Sequence, residues 1–142
     1  FENTEKRQTK SPKLYIRDSG LLMNLTRIET EEHLLTSPLR GAIWEGFALE
    51  QIISALEMDA NEVFFWRTIN GAELDLMIFK GNKRYGFEFK FGDAPSTTKS
   101  MRIALDDLHL EHLYVIYPGK TKIILDDRIT AMPLVQMLNE LK

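Results

Sequence analysis

The sequence predicts an α/β domain with a mixed central β-sheet flanked by helices. Three observations predict it. A helix-like stretch over residues 38–57 precedes three strand-like segments at 62–68, 73–80 and 83–91. A second helical stretch at 97–109 is followed by strand-like segments at 112–117, 121–125 and 128–132. A third helix opens at Pro133. Helix, three strands, helix, strand is an order that packs helices on a mixed sheet.

Each element has its own warrant. Residues 1–12 are polar, end in Ser11-Pro12 and read as a tail or linker before a domain spanning 13–142. Lys13 to Arg17 reads as a short strand, and Asp18-Ser19 can cap a short helix over Gly20–Leu25. Residues 26–37 are polar and are expected to be irregular. Ser37-Pro38 predicts the start of the long helix, because Ser suits a cap and Pro the first turn. Gly81-Asn82 joins two of the strands as a tight hairpin turn.

The bulk numbers bound the function. A chain of 142 residues has the size of one ordinary domain. An apolar content of 44% with eight Phe, four Tyr and two Trp can fill a core, which argues against disorder. Cysteine is absent, which excludes disulfides and thiolate zinc sites and allows a cytoplasmic setting. No apolar run approaches the roughly 20 residues that span a bilayer, and no signal peptide is visible. The chain begins with Phe1 and reads as trimmed or as a piece of something longer. A formal net charge of −3 counts against a dedicated nucleic-acid-coating protein.

The chemistry concentrates in four residues. Residues 42, 45, 49, 52 and 56 share one helical face and read Ala, Glu, Leu, Ile, Leu. Glu45 therefore points where the helix should meet the core, a costly position unless paired or bound to a metal. A buried salt bridge or a rim position would explain it equally. In the hairpin, alternation puts Tyr85, Phe87, Phe89 and Phe91 on one face and Gly86, Glu88 and Lys90 on the other. In the preceding strand, Leu74, Leu76 and Ile78 share one face and Glu73, Asp75, Met77 and Phe79 the other. If the two apolar faces coincide, Asp75 falls beside Glu88 and Lys90. Two carboxylates and an amine on adjacent strands suit a hard cation such as Mg²⁺ or Mn²⁺. A solvated sheet face with cross-strand ion pairs would show the same residues.

Taken together, the pattern resembles the PD-(D/E)XK nuclease superfamily. It runs from Glu45 on a helix, through Glu73-Leu74-Asp75 and Glu88-Phe89-Lys90 on strands, to a helix from about Thr97. The superfamily's Pro-Asp is replaced by Leu74-Asp75, a departure that many members share. More closely, the chain resembles the C-terminal domain of unknown function that follows the ATPase module in many bacterial and archaeal AAA-type ATPases. That likeness covers nearly all of residues 11–133. Its marks are Lys10-Ser11-Pro12-Lys13-Leu14-Tyr15, Asp18-Ser19-Gly20-Leu21-Leu22, Gly41-Ala42-Ile43-Trp44-Glu45-Gly46-Phe47, Phe65-Trp66-Arg67, Glu73-Leu74-Asp75 and Phe87-Glu88-Phe89-Lys90.

The resemblance implies a restriction-endonuclease-like core and in-line hydrolysis of a DNA phosphodiester. It implies Mg²⁺ or Mn²⁺ held by Asp75 and Glu88, with Glu45 as a further ligand directly or through water. Lys90 would orient the attacking water or stabilise developing charge. The partners implied are DNA and an N-terminal ATPase module of the same polypeptide, with no membrane; homo-oligomerisation is left open. The rival reading is a nuclease-fold interaction module that does not cleave and mediates assembly or partner recognition.

Other signals are weaker. Gly119-Lys120-Thr121 resembles the end of a phosphate-binding loop, but position 114, where an earlier Gly is needed, is Tyr. A hairpin turn is expected there instead. His109, Glu111 and His112 straddle a helix end and a strand start, which does not suit a helical metal pair. Trp44 and Trp66 are expected in packing roles. Lys99 and Arg102 fit a solvated helix face as well as a phosphate contact.

Overall fold

The computed structural model describes residues 16–59 and 61–141. Helix α1 (Ser19–Leu25) begins at the predicted cap, where the Asp18 carboxylate accepts the Leu21 N–H at 2.9 Å. Most of the strand expected at Lys13–Arg17 lies outside the described residues, and Ile16 and Arg17 are not in a strand. The stretch 26–37 is not irregular throughout, since it contains α2 (Glu31–Thr36). Thr30 caps that helix by accepting the His33 N–H at 3.1 Å, and Glu31 and Glu32 complement its N-terminal dipole.

Helix α3 (Arg40–Ala55) starts two residues later than Ser37-Pro38 predicts. Ser37 instead ends α2, with its N–H bonded to the Leu34 carbonyl. Its backbone is extended, as a residue before proline prefers. Helix α3 buries Ile43, Ala48, Leu49, Ile52 and Ile53. Of the predicted stripe, Leu49 and Ile52 are buried, while Ala42 is exposed and Ile43 is buried in its place. The first turn of α3 faces Phe91: a Cβ added at Gly41 would touch that ring at 3.6 Å.

The strands are β1 (Phe64–Arg67), β2 (Glu73–Lys80), β3 (Lys83–Phe89), β4 (His112–Tyr117), β5 (Ile123–Asp126) and β6 (Ile129–Pro133). Helix α4 (Lys99–Asp107) links β3 to β4, and α5 (Leu134–Glu140) follows β6. They form one mixed sheet in the order β1-β2-β3-β4-β6-β5. The first three strands are an antiparallel meander, β4 runs parallel to both β3 and β6, and β5 is antiparallel to β6. Gly81-Asn82 makes the predicted turn: Lys80 pairs with Lys83, and Gly81 takes a φ of 63° that favours glycine.

Both sheet faces are covered. On one, Ala48, Leu49 and Ile52 of α3 and Leu134 and Met137 of α5 pack on Leu76, Ile78, Phe87, Phe89, Ile116 and Met132. On the other, Met101, Ala104 and Leu105 of α4 pack on Leu74, Leu113, Val115, Ile129 and Ala131. Burial on both faces is why β6 is buried at all its positions and shows no polar alternation.

Two details depart from the sequence reading. Between its pairings with Phe64 and Trp66, β2 advances from Met77 to Leu74, one residue more than β1 does. This bulge puts Leu74 in the cluster under α4, while Leu76 and Ile78 lie in the cluster under α3 and α5. The three do not share one face. The segment at Gly119-Lys120-Thr121 is not a hairpin turn either, because β6 lies between β4 and β5. There the Tyr117 hydroxyl donates to the Thr121 carbonyl, and its ring occupies the space a Cβ at Gly119 would need. Among the described residues no helix is long and apolar enough to cross a membrane.

Candidate functional site

Glu88 is the next-to-last residue of β3. It pairs with Val115 of β4, on the sheet face that α4 covers. Its neighbours there are apolar, and it is only 4% exposed. A carboxylate so placed is expensive unless something compensates it.

Asp75 lies in the bulged stretch of β2, where pairing with β3 has stopped at Leu76 and Phe87. Its Oδ2 accepts the Phe89 N–H at 3.0 Å. The Asp75 and Glu88 carboxyl groups also meet and share a hydrogen bond. Burial first, and then the Asp75 charge, push the Glu88 carboxyl up to about 9. Lys90 pulls the other way, with its Nζ 3.8 Å from Glu88 Oε2, but it is half exposed and does not offset burial. Glu88 therefore carries a proton at neutral pH. Its Oε1 is buried and makes no hydrogen bond.

Glu45 comes close by another route. From α3, its Oε1 accepts the Phe91 N–H at 3.1 Å. The Phe89 and Phe91 amides are two residues apart on one strand edge, about 7 Å. Glu45 thus stands one strand step beyond Asp75. Among the described residues no three His, Asp or Glu side chains gather closely enough to hold a metal ion. The structure brings together Asp75, Glu88 and Lys90, and leaves Glu45 at the neighbouring amide. Glu73 is partly buried and lies 3.9 Å from Arg67, so it flanks the cluster.

The donor set fits a small hard cation. Mg²⁺ is commonly held by one or two carboxylates while keeping waters for substrate phosphate. Asp75 and the orphaned Glu88 Oε1 offer that chemistry. Two surface cavities, of about 600 and about 250 Å³, include none of these residues.

The weaker signals resolve into structure. His112 bonds Thr130 at 2.8 Å, Glu111 pairs with Lys83 at 2.6 Å, and they form no metal group with His109. Trp44 packs on the α3-side cluster and Trp66 on the α4-side one. Arg102 is bound to Asp126 at 2.5 Å, and Lys99 lines the smaller cavity. One arrangement carried no sequence signal: the Arg40 guanidinium lies over the Phe91 ring, 4.9 Å from its centroid.

A sequence family described as "Domain of unknown function (DUF4143)" matches residues 40–137. An uncharacterized protein of Mycobacterium tuberculosis is 46% identical over 138 residues, covering 97% of this chain and 31% of the relative. One of Mycobacterium bovis matches with the same identity and coverage. The chain thus spans about a third of the length of the curated relatives it matches. No solved structure matches it.

Proposed function

The chain belongs to the family described as a domain of unknown function, DUF4143, and within that family we propose a metal-dependent nuclease domain of restriction-endonuclease-like type that hydrolyses DNA phosphodiesters. The observation that carries this is Glu88: a buried carboxyl with an unpartnered oxygen, set against Asp75 and beside Lys90. The order α3, β1, β2, β3, α4, β4 is consistent with that core. We further propose that the domain is the effector part of an AAA-type ATPase. Relatives about three times as long leave room for such a module.

Asp75 and Glu88 would hold Mg²⁺ or Mn²⁺. When bound, the cation supplies charge neutralisation at the phosphate and an acidified water. Asp75 is oriented by the Phe89 N–H, which fixes where its second oxygen points. Glu88 would have to give up its proton to act as a ligand. Lys90, half exposed, offers an ammonium to the charge that develops on the phosphate. Glu45, held by the Phe91 N–H one strand step away, would reach such a cation through water.

The test is Mn²⁺-dependent nicking of supercoiled DNA. Asp75→Asn and Lys90→Ala should abolish it without loss of circular-dichroism signal. Cleavage that persists in both would identify a contaminant. No cleavage together with no calorimetric metal binding would favour the second reading, a non-cleaving interaction module. That reading has its own support: α1 and α2 bury no residue and expose Leu21, Leu25 and Leu35, and the charge of −3 is unfavourable for DNA.

A further inference from the structure

Arg40 opens α3 and is held from two sides. Its guanidinium stacks on Phe91, and its Nη1 donates to the Leu35 carbonyl at 3.0 Å. Phe91 is itself pinned, by its N–H to Glu45 and by Trp44 at 6.0 Å between ring centroids. Arg17, Arg67, Arg102 and Arg128 each face a carboxylate. Among the described residues Arg40 has no ion-pair partner. Another stacked guanidinium, Arg84 over Phe79, sits near the start of β3, about 13 Å along the strand from Glu88.

We infer that Arg40 is a preorganised phosphate-positioning residue on the rim of the carboxylate cluster, taking a backbone phosphate of the nucleic-acid strand presented to Asp75 and Glu88. The inference rests on the phosphodiester reading for its substrate class. Three features favour it. A guanidinium uses one N–H on Leu35 and keeps others for a bidentate phosphate contact. A side chain already held by a ring and a carbonyl loses little freedom on binding. And the Phe91 amide lies one strand step from the Phe89 amide that Asp75 holds, so Arg40, without an ion pair among the described residues, stands at the same strand end from the α3 side. An anionic strand approaching two carboxyl groups needs that charge.

The experiment is fluorescence anisotropy with a labelled DNA duplex and a labelled single strand, in EDTA, across a salt series. Arg40→Gln should weaken binding roughly ten-fold on at least one of them. Its salt slope should fall by about 0.9 for duplex or about 0.7 for single strand, one phosphate contact. Arg40→Lys should restore the slope, which a purely structural role would not predict. Unchanged affinity and slope in Arg40→Gln overturn the inference, as does a wild-type chain that binds neither DNA. If Arg40→Gln fails to fold, the wild-type chain decides. DNA should protect Arg40 from phenylglyoxal, read by mass spectrometry, and absence of protection overturns the inference. The hydrolysis reading fails separately: a chain that binds through Arg40 but never cleaves sinks it alone, and cleavage unaffected by Arg40→Gln sinks only the role of Arg40.

Discussion

Replacing Glu88 with Gln should stabilise the ion-free protein, and the gain should grow with pH. Glu88 is almost fully buried, and its carboxyl is raised from 4.5 to about 9. The folded chain therefore holds this proton more tightly than the unfolded chain does. That contribution is whole below pH 4.5 and is lost as pH rises through about 9. In this window wild-type stability falls by about 1.4 kcal/mol per pH unit from this group alone. By pH 7 the loss is about 3 kcal/mol. A Gln amide mimics the protonated carboxyl, can still hydrogen-bond Asp75, and does not titrate. The assay is urea unfolding in EDTA of both proteins between pH 5 and 8. Groups that do not touch Glu88 are common to both proteins, so the difference isolates Glu88 together with the neighbours coupled to it. The curves should meet near pH 5, with Glu88→Gln ahead by about 3 kcal/mol at pH 7. Parallel curves would refute the reasoning. Adding Mn²⁺ should stabilise the wild type increasingly as pH rises, because the cation displaces the proton, and should do little for Glu88→Gln.

Glu45→Gln should change urea stability by less than about 0.5 kcal/mol, since the amide oxygen can still accept the Phe91 N–H, whereas Glu45→Ala should lose about 1 kcal/mol. A fall of about 3 kcal/mol in Glu45→Gln would instead reveal a buried cation partner. Asp75→Asn should keep the Phe89 contact and near-native stability, while Asp75→Ala orphans that amide and should cost about 1–3 kcal/mol in the same assay. Gly86→Ala places a Cβ 2.7 Å from Leu110 Cδ1 and 3.2 Å from Leu74, in a packed layer, and should lower stability by about 1–3 kcal/mol. An unchanged melting temperature would show that Leu110 yields freely.

Most strands could be read from the sequence because Val, Ile and aromatic runs end at clear turn residues. β2 and β4 fall at the expected limits. Helix α2 has a legible start in Thr30, Glu31 and Glu32, but it buries nothing and so shows no apolar period that would mark it as a helix. The start of α3 is not legible, because one serine can end a helix or begin the next, and only the neighbouring α2 decides between them. The pairing of Asp75, Glu88 and Lys90 was legible from strand alternation. The bulge was not, since no glycine or other local residue announces it and it exists only relative to β1. Arg40 on Phe91 joins positions far apart in sequence, and no local pattern encodes that.

The bulge also separates what the fold explains from what it leaves over. Because the β2–β3 ladder stops at Leu76 and Phe87, the amides of Phe89 and Phe91 have no β2 main-chain partner. Side chains take their place: Asp75 accepts one and Glu45 the other. Both carboxylates therefore have a structural return, complete for Glu45 and partial for Asp75, which also meets Glu88. Glu88 has none of comparable worth. Its Oε1 takes no hydrogen bond, its nearest cation lies at 3.8 Å, and its other contact is a second carboxyl that raises its proton affinity. An apolar residue there would join Val115 and Leu113 in the layer under α4 at lower free energy. A group that burdens the fold and is so poorly satisfied in it supports the proposal that the site binds a hard cation, whose chemistry an orphaned carboxylate oxygen would fit.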